Sequence, residues 1–165
     1  MSQKPLILTV CTGNTCRSPI AAKLLEAAFQ QEGGVFDALE VASAGVAAID
    51  GMPASAHSMT AVQALGLDLS RHQSRALSAD LMERCYAIFG MTQSHVELLQ
   101  ASFPEPSHPI YRFREFLPLD NGREIPDPYG QNLAAYQNCL SSMQAAIPSL
   151  MGYLQTQLTN GLGKV

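Results

Sequence analysis

The sequence predicts an α/β layered domain built on a mainly parallel sheet, and three observations predict it. Short apolar runs alternate along the chain with stretches of helical periodicity. The first run, Leu6 to Val10, is continuously apolar, which suits a strand buried on both faces. It leads through a tight loop, Cys11 to Ser18, straight into an Ala- and Leu-rich helical segment, the strand–loop–helix order of such folds.

Taken in order, the first helix is expected from Pro19 to Gln31, with Ser18 as its N-cap and Gly33-Gly34 as its end. Ile20, Leu24 and Ala28 recur at helical spacing and would face the sheet. Phe36 to Ala42 reads as the second strand, ending at Ser43-Ala44-Gly45. Ser55 to Leu65 reads as a helix, and Gly66 to His72 as irregular chain. A short helix near Ser78 to Met82 leads into a third strand, Tyr86 to Phe89. Thr92 caps a helix that runs to Ala101 and stops before Pro104, and Ile110 to Phe113 is a fourth strand. A loop rich in Pro, Asp and Gly follows. Leu133 to Leu158 is a long amphipathic helix, which Pro148 should kink or split.

A chain of 165 residues suits one domain, taken as 1–165, with room for a real core. Hydrophobic content of 47% and charged content of 15% exclude a disordered chain. A net charge of -4 and the lack of any basic run argue against nucleic acid. No window is long and apolar enough to span a membrane, and Leu6 to Val10 is too short for a signal peptide. The expected compartment is the cytoplasm. Cys11, Cys16, Cys85 and Cys139 lack the paired spacing of a metal site, so no metal or cofactor is expected, and without an export signal a disulfide framework is not expected either.

Chemistry concentrates in Cys11-Thr12-Gly13-Asn14-Thr15-Cys16-Arg17-Ser18-Pro19. A loop between a strand's carboxyl end and a helix N-terminus is where open α/β sheets bind ligands. Backbone N–H groups from Thr12 to Ser18 can form a nest for a phosphate-like dianion, aided by the helix dipole. Arg17 adds a planar fork for two phosphoryl oxygens. The same positive field favours the Cys11 thiolate, which can attack bound phosphorus and form a covalent phosphocysteine. No Gly-Lys-Ser/Thr follows, so this is not a nucleotide P-loop. A leaving group then needs a proton. Asp127, in Ile125-Pro126-Asp127-Pro128-Tyr129-Gly130, is the best candidate, although such a dipeptide is also an ordinary surface turn. Cys16 is either a buried filler or a partner that traps oxidised Cys11 as a disulfide.

The loop resembles the signature of the low-molecular-weight protein-tyrosine phosphatase family, whose bacterial members include protein-arginine phosphatases. Ser43-Ala44-Gly45, Gly66 to Arg75, Met91-Thr92 and Asp127-Pro128 also fall where the family has similar segments. The resemblance implies a phosphatase I-like, three-layer fold with a parallel four-stranded sheet in the order 2-1-3-4, flanked by helices. It implies Cys11, Arg17 and Asp127 as catalytic residues, with the loop residues Thr12, Gly13, Asn14, Thr15, Cys16 and Ser18 holding phosphate. Ser43 and His72 would support the loop by hydrogen-bonding with Asn14 and Ser18. Tyr129 would wall the pocket, and Cys16 would be the redox partner.

The implied substrate is a phosphorylated protein and the implied inhibitors are phosphate-like oxyanions, on a monomer or weak dimer. Tyrosine-directed relatives often carry a larger aliphatic residue after the nucleophile. Thr12 therefore points toward phosphoarginine over phosphotyrosine. Two other classes stay open. Thioredoxin-coupled arsenate reductases resemble this loop but need two further relay cysteines, for which Cys85 lacks a neighbour. A non-catalytic phosphopeptide-binding module would be expected to lose Cys11 or Asp127. His57, His95 and His108 carry no role in this reading.

Overall fold

A computed structural model describes residues 3–104, 108–118 and 122–162. Its elements are β1 (Leu6–Cys11), α1 (Arg17–Glu32), a 3₁₀ turn (Gly34–Ala38), β2 (Glu40–Gly45), α2 (Ala56–Gln63), α3 (Ala79–Arg84), β3 (Cys85–Gly90), α4 (Gln93–Ser102), β4 (Ile110–Arg112) and α5 (Leu133–Leu162). All strand pairs are parallel, in the order β2-β1-β3-β4. That is the architecture and strand order expected from the sequence.

The continuous apolar run of β1 is explained by its central place. Ile7 and Cys11 face one hydrophobic layer with Ile20, Leu25, Phe29, Met143 and Leu150 from α1 and α5. Leu6, Leu8 and Val10 face the other, with Leu81 of α3 and Leu99 of α4. Alternate side chains thus enter opposite cores, and every residue of β1 is buried. Thr9 is polar there only because its hydroxyl donates to the Ser18 carbonyl at 2.9 Å.

Three of these elements, β2, α1 and α5, depart from expectation in ways that matter. The second strand starts at Glu40 rather than Phe36, because Phe36 sits in the 3₁₀ turn with its ring stacked on Phe29 at 4.9 Å. Helix α1 starts at Arg17, two residues earlier than expected, and its N-cap is Cys16, not Ser18. Ala28 is only half-buried, and Phe29 takes the inward position. Pro148 does not split α5, which is one helix across it. Proline strands the carbonyl four residues back, and both Pro148 and Gln144 are exposed, so water can reach that carbonyl.

The loop after β1 is packed against the chain that leaves β2. A Cβ at Gly45 would lie 2.5 Å from the Thr12 carbonyl and 2.8 Å from the Ala48 Cβ, so only glycine allows this approach. Residues 119–121, in the loop rich in Pro, Asp and Gly, lie outside the described residues. Among the described residues, no helix is long and apolar enough to cross a membrane.

Candidate active site

Cys11 ends β1, paired with Gly45, and is buried. Beyond it the chain turns through Asn14, which has φ 56°, a left-handed backbone that asparagine tolerates better than most residues. The side chain of Asn14 holds this turn. Its Nδ2 donates to Ser18 Oγ at 2.8 Å and to Ser43 Oγ at 2.9 Å, and its Oδ1 accepts from the Arg75 N–H at 3.0 Å. His72 Nε2 donates to the Asn14 carbonyl at 2.7 Å. Burial pushes the His72 pKa down from its ordinary value, partly opposed by that hydrogen bond. Ser18 Oγ lies 3.0 Å from Cys11 Sγ, so the Ser18 hydroxyl faces that sulfur instead of capping the helix.

The loop's carbonyls are drawn away from its hollow. The carbonyls of Cys11 and Thr12 accept from the N–H groups of Val46 and Ala47, and that of Thr15 accepts from Ser55. Those of Asn14 and Cys16 accept from His72 and the Ser58 hydroxyl. A trans peptide sets its N–H opposite its C=O, and the described chain has no cis bond. The N–H groups of Thr12, Gly13, Thr15, Cys16 and Arg17 therefore point to the other side, an arrangement suited to an anion.

That side is a cavity of about 230 Å³ lined by Cys11, Thr12, Gly13, Thr15, Cys16, Arg17, Asp127 and Tyr129. Arg17 is 4% exposed. Its Nη1 donates to the Ile125 carbonyl at 2.9 Å, its Nη2 lies 3.7 Å from Asp127 Oδ2, and its Nε is buried without a hydrogen-bond partner. A buried donor left unpaired costs about 1–3 kcal/mol, and more when charged. Arg17 lines the cavity, so an anion bound there meets this guanidinium.

Asp127 is half-exposed, and its Oδ1 accepts from the Tyr129 N–H at 3.0 Å, closing a tight turn between two prolines. Its pairing with Arg17 is long and solvent-screened, worth about 0–1 kcal/mol. The segment carrying it is anchored at the start of α4. Ile125 N–H donates to the Met91 carbonyl, and Glu124 accepts from the Gln93 N–H at 2.9 Å. Tyr129 is 77% exposed at the cavity rim.

Two residues without a role in the sequence reading touch this site. Tyr136 of α5 places its hydroxyl 3.3 Å from Cys16 Sγ, and burial pushes its pKa up to about 12. His95 is 4% exposed and places Nε2 3.0 Å from Thr12 Oγ1. The signal for His95 lay in Thr92-x-x-His95, a capping box with histidine in the place of Glu or Gln. His57 packs its ring against Tyr136 at 5.2 Å. Cys85 lies at the opposite end of the sheet, beside Leu6, and Cys139 on α5 donates to the Pro126 carbonyl. Burial pushes both thiols up to about 11. Among the described residues no cluster of His, Cys, Asp or Glu is placed to hold a metal ion.

The fold and this loop define a cysteine-dependent phosphatase. The family model for low molecular weight phosphotyrosine protein phosphatases matches residues 6–160, and the chain belongs to that family. It is 35% identical over 151 residues to a protein-arginine-phosphatase of Geobacillus stearothermophilus, covering 92% of this chain and 97% of that one. It is also 35% identical over 131 residues to the low molecular weight protein-tyrosine-phosphatase Wzb of Salmonella typhi, covering 79% and 81%. The structure of a YwlE arginine phosphatase mutant with a phosphorylated active-site serine superposes with TM-score 0.82 at 27% identity, covering 91% of this chain and 95% of that one.

Burial, followed by the Arg17 charge, pushes the His95 pKa down from 6.5 to about 4, against the pull of Asp127. Between those values the unfolded chain binds the extra proton, so stability rises with pH across the window and is lost as pH falls toward 4. The urea midpoint of the native chain is expected to fall across that window more steeply than that of His95→Gln. Parallel curves contradict a neutral, buried His95.

Proposed function

We propose that the chain, taken as one unit over 1–165, removes phosphoryl groups from proteins through a phosphocysteine formed on Cys11. The observation that carries this reading is the buried, unpartnered Nε of Arg17, in one cavity with the Cys11 thiol and the Asp127 carboxylate. The Cys11 thiolate attacks phosphorus while Arg17 and the N–H groups from Thr12 to Ser18 hold the phosphoryl oxygens. The bond from phosphorus to the leaving oxygen or nitrogen breaks, and Asp127 delivers its proton to that atom. Water then attacks the phosphocysteine, Asp127 takes its proton, and phosphate leaves with the sulfur restored as thiolate. The Ser18 hydroxyl, 3.0 Å from Sγ, can donate to that thiolate.

Asn14, Ser43 and His72 support the loop, and Tyr129 walls the pocket. The phosphorylated serine of the YwlE mutant supports covalent transfer at the equivalent step. Phosphate-like oxyanions fill the same cradle and inhibit; a family structure, Wzb from Escherichia coli K30, is in complex with sulphate. We take the enzyme to act in the cytoplasm as a monomer or weak dimer, without metal or cofactor. An arsenate-reductase relay is disfavoured because Cys85 sits at the far end of β3 from the cradle.

Curated relatives include both tyrosine and arginine phosphatases, so the substrate rests on the pocket. Thr12 lines the cavity with a hydroxyl rather than an aliphatic wall, which suits a phosphoguanidinium better than a phenyl ring. Cys16, buried beside the loop, is taken as the partner that traps oxidised Cys11 as a disulfide.

Cys11→Ser is expected to abolish turnover while retaining phosphate binding by calorimetry; appreciable residual hydrolysis contradicts the nucleophile. Side-by-side kcat/KM on phosphoarginine and phosphotyrosine peptides should favour the former. Thr12→Ile should shift the ratio toward the aryl substrate, and an unchanged ratio removes Thr12 as the filter. After peroxide, peptide mass mapping should recover a Cys11–Cys16 linkage, and its absence excludes the redox role.

A further inference from the structure

His95 stands outside every step above, yet it bridges the cradle and the helix that anchors the acid segment. Its ring protonation follows from its partners. The Thr92 N–H donates to Nδ1 at 3.2 Å, so Nδ1 carries no proton. The proton therefore sits on Nε2, which donates to Thr12 Oγ1 at 3.0 Å. The Thr92 hydroxyl accepts from the His95 N–H at 3.3 Å and can donate its own proton to Nδ1, 3.0 Å away. Every polar atom of the imidazole is thus committed, and its direction is set by the first turn of α4.

The seat is built for this ring. A Cβ at Gly90 would come within 2.9 Å of the His95 Cβ, so the glycine that ends β3 makes room for it. The charges of Arg17 and Asp127 both reach the ring, one opposing and one favouring its protonation. On the other side of the bond, Thr12 is exposed at the cavity. With one Oγ1 lone pair occupied by His95, the Thr12 hydroxyl keeps a fixed donor and one acceptor for a ligand.

We propose that His95 is a positioning residue for the phosphatase reaction, orienting the Thr12 hydroxyl at the pocket mouth through its Nε2–H. This deepens the reading of Thr12 as a pocket residue and rests on it. The chemistry served is recognition of the group that carries the phosphoryl, since Thr12 stands beside the nucleophile at the open side of the cradle.

The test is a double-mutant cycle of His95→Leu with Thr12→Val, with His95→Gln as the conservative variant. It is read as kcat and KM on phosphoarginine and phosphotyrosine peptides. His95→Leu is expected to lower kcat/KM on the preferred peptide about fivefold, the worth of one hydrogen bond. The same change in the Thr12→Val background should cost little. Glutamine keeps an acceptor for the Thr92 N–H and a donor for Thr12, and should restore most of the loss. Equal losses in both backgrounds, or Gln no better than Leu, overturn the proposal and leave His95 as a helix cap.

Imidazole ¹⁵N shifts of the native protein supply a readout that does not depend on turnover. They should report an Nε2–H ring at neutral pH whose Nε2 signal moves in Thr12→Val; an Nδ1–H ring or an unmoved signal overturns the proposal. The two readings fail separately. An unchanged peptide ratio in Thr12→Val, with the cycle still coupled, supports His95 and removes the substrate filter. A changed ratio without coupling overturns the role of His95 and leaves the filter standing.

Discussion

The site depends on holding one asparagine in a backbone conformation that an L-residue does not choose. Asn14 has φ 56°, and its side chain alone holds Ser18, Ser43 and the Arg75 N–H, while His72 takes its carbonyl. Left-handed backbone costs an ordinary L-residue about 1–2 kcal/mol, and asparagine less. Several buried hydrogen bonds, each worth about 0.5–1.5 kcal/mol net, offset it. Those bonds draw on β2, on the 66–75 segment and on α1, so the loop is tied to three neighbouring parts of the fold.

From that constraint the rest follows outward. Because the loop's carbonyls are tied to Val46, Ala47, Ser55, Ser58 and His72, its N–H groups remain for an anion. Arg17, first residue of α1, is buried beside them and reaches across to Ile125. Ile125 is bound in turn to Met91, and Glu124 to Gln93, so the segment carrying Asp127 hangs from the same β3–α4 junction that seats His95. Cys11 and Asp127, the nucleophile and acid of the proposed reaction, come from distant parts of the chain but line one cavity.

Much of this was legible in the sequence, and the rest was hidden for physical reasons. The loop announced itself because a nucleophile, a glycine, an arginine and a helix-start proline fall within nine residues, Cys11 to Pro19. Buried strands announced themselves as apolar runs. The start of β2 did not, because Phe36 is as apolar as a strand residue, yet its ring is held by Phe29 from the preceding helix. Ser18 looked like a cap because caps are local, whereas its hydroxyl is taken by Cys11 and Asn14. Pro148 looked like a break, although an exposed helix face tolerates the stranded carbonyl. His95 was invisible as a site residue because its partner Thr12 lies 83 positions away.

In the proposed reaction phosphoryl transfer passes through the Cys11 sulfur, and Asp127 serves both halves. Rapid quenching of Asp127→Ala with an aryl phosphate whose leaving group departs without protonation, followed by peptide mapping under conditions that preserve phosphocysteine, tests this most directly. A phosphoryl group is expected on the Cys11 peptide, building up at early times and outliving that of the native enzyme. Turnover with no phosphoryl group on Cys11 at any time would contradict it.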